Sequence, residues 1–287
     1  MLALQLLVTG LVTGCALGVV AISFSLVYAT AKIFHVAHAG IYTLGGYLAW
    51  SLMVWRVPLP LAFLLPIAAC TALGALMQSQ LYARLARRRA THLVVLIASL
   101  GTLSVIQNII AAVYTPNILQ FPLDWSSRMV AFGPVRLNWT QLLTIVVSVA
   151  AYAGTMWFAH RTILGKRIRA VASNPMLADI TRLQPQTVYI YVIAIASALV
   201  CLPGILVPLD LGLQPYNGVT PLLTATIAMI AGGVGSITGA FVLSLVIAVL
   251  QNLSLLVMPG EWSIGVTFFI FVIFMLFRPT GLFAAAR

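Results

Sequence analysis

Acidic side chains are almost missing. Asp124, Asp179, Asp210 and Glu261 are the four carboxylates in 287 residues. Charged residues of both signs make up 7 % of the chain, against about 25 % in soluble domains. A soluble protein of this length covers its surface with charge, so this composition excludes one. The solvent for most of the surface must be lipid.

The few acids also sit in uninformative places for a coupled carrier. Proton- or sodium-driven carriers often hold a charged side chain near the bilayer centre, at a cost of roughly 2.5–3.5 kcal/mol on insertion scales. Here all four carboxylates fall in loops or at the ends of apolar blocks, which argues against a secondary transporter. Cysteine is scarce too. Cys15, Cys70 and Cys201 all lie inside apolar segments, at no metal-ligand spacing. They read as small packing residues, not as a disulfide framework. A nucleotide-binding Gly-x4-Gly-Lys-Ser/Thr loop is absent, because Leu164-Gly165-Lys166-Arg167 lacks both the first glycine and the hydroxyl residue. No catalytic or metal-binding constellation stands out, so the chain reads as a non-enzyme.

What is present is apolar. Hydrophobic residues make up 62 % of the sequence and the mean hydropathy is +1.10. Gln141 to Phe158 and Thr187 to Pro208 are continuous apolar blocks of the length that crosses a hydrocarbon core of roughly 30 Å. Barrel strands would alternate instead, so the expected fold is all-α, a polytopic helical bundle. Helices are expected near 3–30, 37–54, 59–82, 92–114, 139–160, 187–209, 217–231, 237–257 and 262–278. The segment 217–231 is short for a full crossing, and Gly232-Gly233-Val234-Gly235-Ser236 follows it. It fits a half-span that enters and returns, giving eight or nine spans. The whole chain, 1–287, is expected to form one transmembrane domain. Its first apolar block has no basic flank and no clear cleavage site, so it reads as a span and not a removed leader.

The formal net charge of +11 is read as orientation, not as nucleic-acid binding. With the N-terminus outside, Lys32, Arg84, Arg87–Arg89, Arg161, Lys166, Arg167, Arg169, Arg182, Arg278 and Arg287 fall inside, and Arg56, Arg128 and Arg136 outside. Basic residues favour the cytoplasmic side, so N-out and C-in is expected. Residues 115–138 then form an outer loop, and residues 161–186 the longest basic inner loop.

In that inner loop, Ile168, Val171 and Ala172 recur at helical spacing beside arginines. Gly165 is suited to end the preceding helix, and Asn174-Pro175 to cap and start a second short one. Such a pair either lies on anionic lipid or docks a soluble partner. His35 and His38, at i and i+3, read mainly as bonding carbonyls freed by the first turn, with a role in solute passage as the sharper alternative. Ser99, Thr102, Gln107 and Asn108 are further candidates for a weakly polar permeation path, Ser99, Thr102 and Gln107 on one broad face. Small polar residues also glue helices. Gly10, Gly14 and Gly18 form a small-residue stripe for close helix packing, within the chain or against a homologous subunit.

Four segments in order resemble permeases of the branched-chain amino-acid ABC transporter family, the LivH-like membrane subunits. They are His35-Val36-Ala37-His38-Ala39 with Leu44-Gly45-Gly46-Tyr47, the basic loop, the Gly232–Ala240 turn, and Arg278-Pro279-Thr280-Gly281-Leu282-Phe283. The resemblance places Gly165, Arg167, Arg169, Ala170, Asn174 and Ala178 in a coupling loop that inserts into an ATPase subunit. It departs from the family pattern where His35 replaces Asn, Ala39 replaces Gly, Gly40 replaces an acid, Arg182 replaces Gly and Leu202-Pro203-Gly204 replaces Ala-Gly.

By that resemblance the chain is expected to be a multi-pass inner-membrane subunit of a bacterial importer. Its partners would be a second permease of the LivM-like type or a copy of itself, two ABC ATPases and an extracytoplasmic solute-binding protein. ATP and magnesium would be bound by the ATPases, and no cofactor by this chain. The implied cargo is an amino acid of the branched-chain type, with urea or amides as the alternative.

Overall fold

The computed structural model describes residues 1–278 and 281–283. Arg287, and Pro279 and Thr280 of the C-terminal motif, lie outside the described residues. The chain is a helical bundle built from α1 (Leu2–Ala31), α2 (His38–Val54), α3 (Leu59–Leu76), a π-helical turn (Met77–Tyr82), α4 (Ala83–Arg87), α5 (His92–Tyr114), α6 (Trp139–Arg161), α7 (Ile163–Ser173), α8 (Pro175–Ile180), α9 (Pro185–Leu206), α10 (Pro208–Leu211), α11 (Val219–Gly232), α12 (Ile237–Ser254) and α13 (Ser263–Phe277). The stretch from 115 to 138 adds a small antiparallel hairpin, β1 (Met129–Phe132) with β2 (Val135–Asn138), in which Met129 faces Asn138. The sequence gives no warning of it beyond the Gly133-Pro134 turn.

Among the described residues seven helical stretches are long and apolar enough to cross a membrane. The 17-residue α2 and the 14-residue α11 are shorter, because both begin inside the bundle. His38, the first residue of α2, bonds Ser23 of α1, well short of the end of that helix. Gly218, just before α11, packs on Ala39 and Thr43 of α2. The half-span read from the sequence at 217–231 corresponds to a helix that starts inside the bundle, beside α2.

α1 is the axis of the bundle and is buried through most of its length. Its Gly10 and Gly14 lie against α12: a Cβ on either would come within 2.8 Å of the Cα of Val249 or Leu245. The small-residue stripe therefore packs within the chain. At one end of the bundle Gln5 brackets Arg136 with two hydrogen bonds, donating to its carbonyl and accepting from its N–H (2.8 and 3.0 Å), which ties the hairpin to α1. Asp210 receives Asn138 Nδ2 and Gln141 Nε2 at 2.5 and 3.2 Å, so this acid secures the start of α6. At the opposite, basic end lie α7 and α8. Only Thr267 of α13 is buried, as expected of an outer helix that faces lipid.

Candidate functional site

The basic end is organised around α7. Thr162 caps it by accepting from Gly165 N–H at 3.0 Å. Gly165 is not the left-handed terminator expected from the sequence. It is the third residue of α7 and is buried, and a Cβ there would collide with the Phe158 carbonyl and lie 2.8 Å from Ala159 Cα. Glycine is required because the coupling helix rests directly on the last turn of α6. Ile168 and Val171 are buried beneath the helix, while Lys166, Arg167, Arg169 and Ala170 are exposed.

These exposed residues do not all face the same way. Lys166 and Ala170 sit on the open side. Arg169 lies on the flank toward α6, its guanidinium 3.5 Å from His160 Nδ1, at a cleft that also holds Ser25, Thr30 and Thr238. Arg167 lies on the other flank, sharing a shallow groove with Arg182 and the start of α9.

α8 starts as the sequence indicated. Asn174 Oδ1 accepts from Leu177 N–H at 3.0 Å with Pro175 in the first turn. Ala178 faces inward, while Met176, Leu177 and Ile180 are 78 %, 59 % and 73 % exposed. The helix ends at Arg182 with φ 62, its N–H bonded to the Asp179 carbonyl. That left-handed position explains why a glycine belongs there and what Arg182 costs.

Two of the segments that carried the resemblance meet beside this element. Ser25 Oγ accepts from Gly235 N–H at 3.2 Å, fixing the glycine turn to α1. Leu282 and Phe283 donate from their backbone to the carbonyls of Ala231 and Gly232 at 3.0 and 3.1 Å. A Cβ on Gly281 would come within 2.5 Å of Gly233 Cα. Gly281, Leu282 and Phe283 are therefore a strap against the glycine turn, a contact no sequence period announces.

His35 and His38 are both fully buried, with ring centroids 5.3 Å apart. They do not share a helix face: His38 opens α2 and His35 lies in the turn before it. Nor do they bond turn carbonyls through their side chains. Ser23 Oγ donates to the Val20 carbonyl at 2.7 Å, leaving its oxygen to accept from His38 Nε2 at 2.8 Å. Tyr82 donates to Ser99 Oγ at 3.0 Å, leaving its own oxygen to accept from His35 Nδ1 at 2.6 Å. Ser99 Oγ also accepts from Ala37 N–H at 2.9 Å. The cluster pins the start of α2 to α1, α5 and the π turn.

Tyr82 was not legible as a member, because an aromatic beside Arg84 and Arg87 reads as a membrane-interface anchor. Gly40 packs on Ile106, whose Cδ1 would lie 3.1 Å from a Cβ, so a side chain at that position requires Ile106 to shift.

The remaining polar residues of α5 separate. Ser99 and Gln107 are buried on the inner face, Thr102 is half-buried and Asn108 is exposed. Thr102 and Asn108 bond carbonyls of their own helix, Ala98 and Ser104. Gln107 Nε2 finds no partner among the described residues. Ser99 and Gln107 thus share the inner side of α5 with Thr102 at its margin, and Asn108 lies apart.

An all-α bundle with membrane-length apolar helices and an exposed basic helical pair at one end defines a multi-pass membrane protein. Residues 6–275 match the family described as branched-chain amino acid transport system / permease component. The chain belongs to that family and is a permease component of a transport system. It is 26 % identical over 294 aligned positions to the high-affinity branched-chain amino acid transport system permease protein BraD of Pseudomonas aeruginosa, covering 97 % of this chain and 95 % of BraD. It is 23 % identical to LivH of Escherichia coli K12, over 97 % of this chain and 94 % of LivH. A shorter match, 32 % identical over 118 residues, covers 38 % of this chain and 30 % of the xylose transport system permease protein XylH of the same organism. The fold resembles a chain of PsaBC from Streptococcus pneumoniae in complex with Fab, with a TM-score of 0.51 at 13 % identity, over 96 % of this chain and 91 % of that one.

Proposed function

We propose that this chain is the membrane-spanning permease subunit of a bacterial ABC importer in the inner membrane, carrying amino acids of the branched-chain type. The observation that carries the reading is the α7–α8 pair. It presents Lys166 and Ala170 beside an apolar patch of Met176, Leu177 and Ile180. Exposed apolar side chains gathered in one patch mark a contact surface, here at the basic end, which belongs in the cytoplasm. Two ATPase subunits that bind ATP and magnesium dock there. A second permease, related or identical, completes the membrane unit, and a solute-binding protein docks at the hairpin end.

In this reading the chain does no chemistry. Closure of the ATPases pushes α7, and because Gly165 seats α7 directly on α6, the push passes to the bundle as a rigid-body motion. Ser25 and the glycine turn carry it to α1 and α12. The amino-acid cargo rests on the full-length similarity to BraD and LivH. The test is co-expression with the neighbouring ATPase and binding-protein genes, purification through this chain, and uptake in proteoliposomes. Co-purified ATPase and ATP-dependent uptake of leucine or isoleucine are expected. Uptake by this chain alone, with no ATPase bound, would overturn the reading.

A further inference from the structure

The segment Gly212–Gly218 breaks a rule that lipid enforces. It enters from the hairpin end, where Leu213 and Leu119 exchange backbone hydrogen bonds at 2.8 and 3.1 Å, and runs into the bundle, where Gly218 packs on Ala39 and Thr43 in the first turns of α2. Over this stretch the backbone is not helical, yet Gln214 and Tyr216 are exposed. Irregular backbone at membrane depth does not face lipid, since its free N–H and C=O groups have no partner in hydrocarbon. It is tolerated only where it is buried in protein or lines a water-filled cavity. The exposed side of Gln214 and Tyr216 therefore does not look onto lipid.

A recess of about 360 Å³ opens beside this segment, at the small end of the roughly 300–1,000 Å³ range of small-ligand clefts. Its polar wall is Thr13, Tyr42, Thr220, Thr224, Gln251 and Ser263, and its apolar wall comes from α1 and α9. Tyr42 and Thr224 are 2 % and 4 % exposed. Both residues line the recess, and neither hydroxyl bonds another side chain or backbone group among the described residues. Hydroxyls on buried residues are normally paired, so two without a protein partner beside one recess mark a place that a ligand or water completes. Among the described residues no Asp, Glu, Lys, Arg or His lines it.

We infer that the solute path crosses this chain at this recess and along Gly212–Thr220, not along the polar face of α5. A zwitterionic solute of the kind the proposed function already implies finds hydroxyls, an amide and apolar surface there. The inference rests on the permease reading above and adds the place. The far side of the path is closed by the second permease of that complex.

The test uses single cysteines in the full co-expressed complex: Thr13→Cys, Tyr216→Cys and Thr220→Cys on the path, with Val105→Cys and Ile109→Cys on the exposed face of α5 as lipid-facing references. The three native cysteines are buried and set the baseline. A membrane-impermeant thiol reagent should label the three path positions at least tenfold faster than Val105→Cys or Ile109→Cys, and should block uptake only in the path variants. Path positions labelled no faster than the α5 references would overturn the inference, whatever the uptake. Failure of the unlabelled complex to take up any amino acid would instead count against the proposed function, and labelling would still decide where water reaches.

Discussion

Gly204 meets Tyr42 backbone to backbone: a Cβ on Gly204 would lie 2.9 Å from the Tyr42 carbonyl carbon and strike its oxygen. This crossing of α2 and α9 stands directly beside the recess, and its neighbours Gly45 and Gly46 are equally crowded, against Cys201 and the Gly204 carbonyl. Two helices at such a distance have no flexible side chain that can yield. Gly204→Ala should therefore cost about 1–3 kcal/mol through overpacking. Gly154→Ala, on α6 where nothing lies within 4 Å of the added Cβ, should gain about 0.5–1 kcal/mol from helix propensity. Thermal unfolding of the two variants in detergent should move in opposite directions. A common direction would contradict the close approach.

Arg182 carries backbone strain that a glycine would remove. Its φ of 62 is the left-handed conformation, which costs an L-residue with a side chain roughly 1–2 kcal/mol. Arg182→Gly should stabilise the end of α8 by about 1 kcal/mol and slow hydrogen exchange at Thr181, Arg182 and Leu183. Arg182→Val, β-branched at the same φ, should speed it. Slower exchange in both variants would show that strain is not what sets the stability of this turn.

The buried histidine cluster makes a sharper demand on Tyr82. Tyr82→Phe removes one hydroxyl that both accepts from His35 and donates to Ser99. It leaves the His35 Nδ1–H without its acceptor, a penalty of about 1–3 kcal/mol for a buried group. Unfolding temperature should fall, and protease should gain access near residues 32–37, where the turn into α2 is held. A variant as stable as the parent would mean the tyrosine hydroxyl is replaceable by water.

How far the sequence could be read follows from where the information lies. Helix positions were legible because apolar runs of membrane length are a local signal, and the expected range 92–114 coincides with α5. The cap at Asn174-Pro175 was legible for the same reason. Contacts between distant segments were not. Gly165 reads in sequence as a helix terminator, but its role is set by Phe158 and Ala159 packed against it. Tyr42 and Thr224, about 180 positions apart, become two walls of one recess only when α2 and α11 meet. Polar residues in apolar spans attracted attention on α5 by composition alone, and composition cannot tell an inward serine such as Ser99 from an outward asparagine such as Asn108.

That distinction on α5 gives its own prediction. Asn108 is exposed and bonds Ser104 of its own helix, so Asn108→Ala should change stability by less than about 0.5 kcal/mol and leave uptake intact. Gln107 is buried with an unpaired amide N–H, so Gln107→Leu, similar in size, should be neutral or stabilising. If uptake in Gln107→Leu collapses while the fold is unchanged, the solute touches α5 after all.

The coupling element can be tested by separating docking from transmission. Ala170 is exposed on the open side of α7, where the proposed ATPase groove would close over it. Ala170→Asp buries a charge in that contact without touching the bundle. An unpaired buried charge at an interface costs about 2–5 kcal/mol, enough to lose the ATPases on purification while the permease keeps its melting temperature. Arg169 points the other way, toward His160 at 3.5 Å. Arg169→Gln should therefore leave the ATPases bound, loosen the seat of α7 on α6, and lower solute moved per ATP hydrolysed. The two substitutions are neighbours in sequence, so a helix that merely lay on lipid would respond to both alike, by weaker membrane association. Retained ATPase with reduced coupling in Arg169→Gln, against lost ATPase in Ala170→Asp, is the pattern expected of a rigid lever with one face to the partner and one to its own bundle.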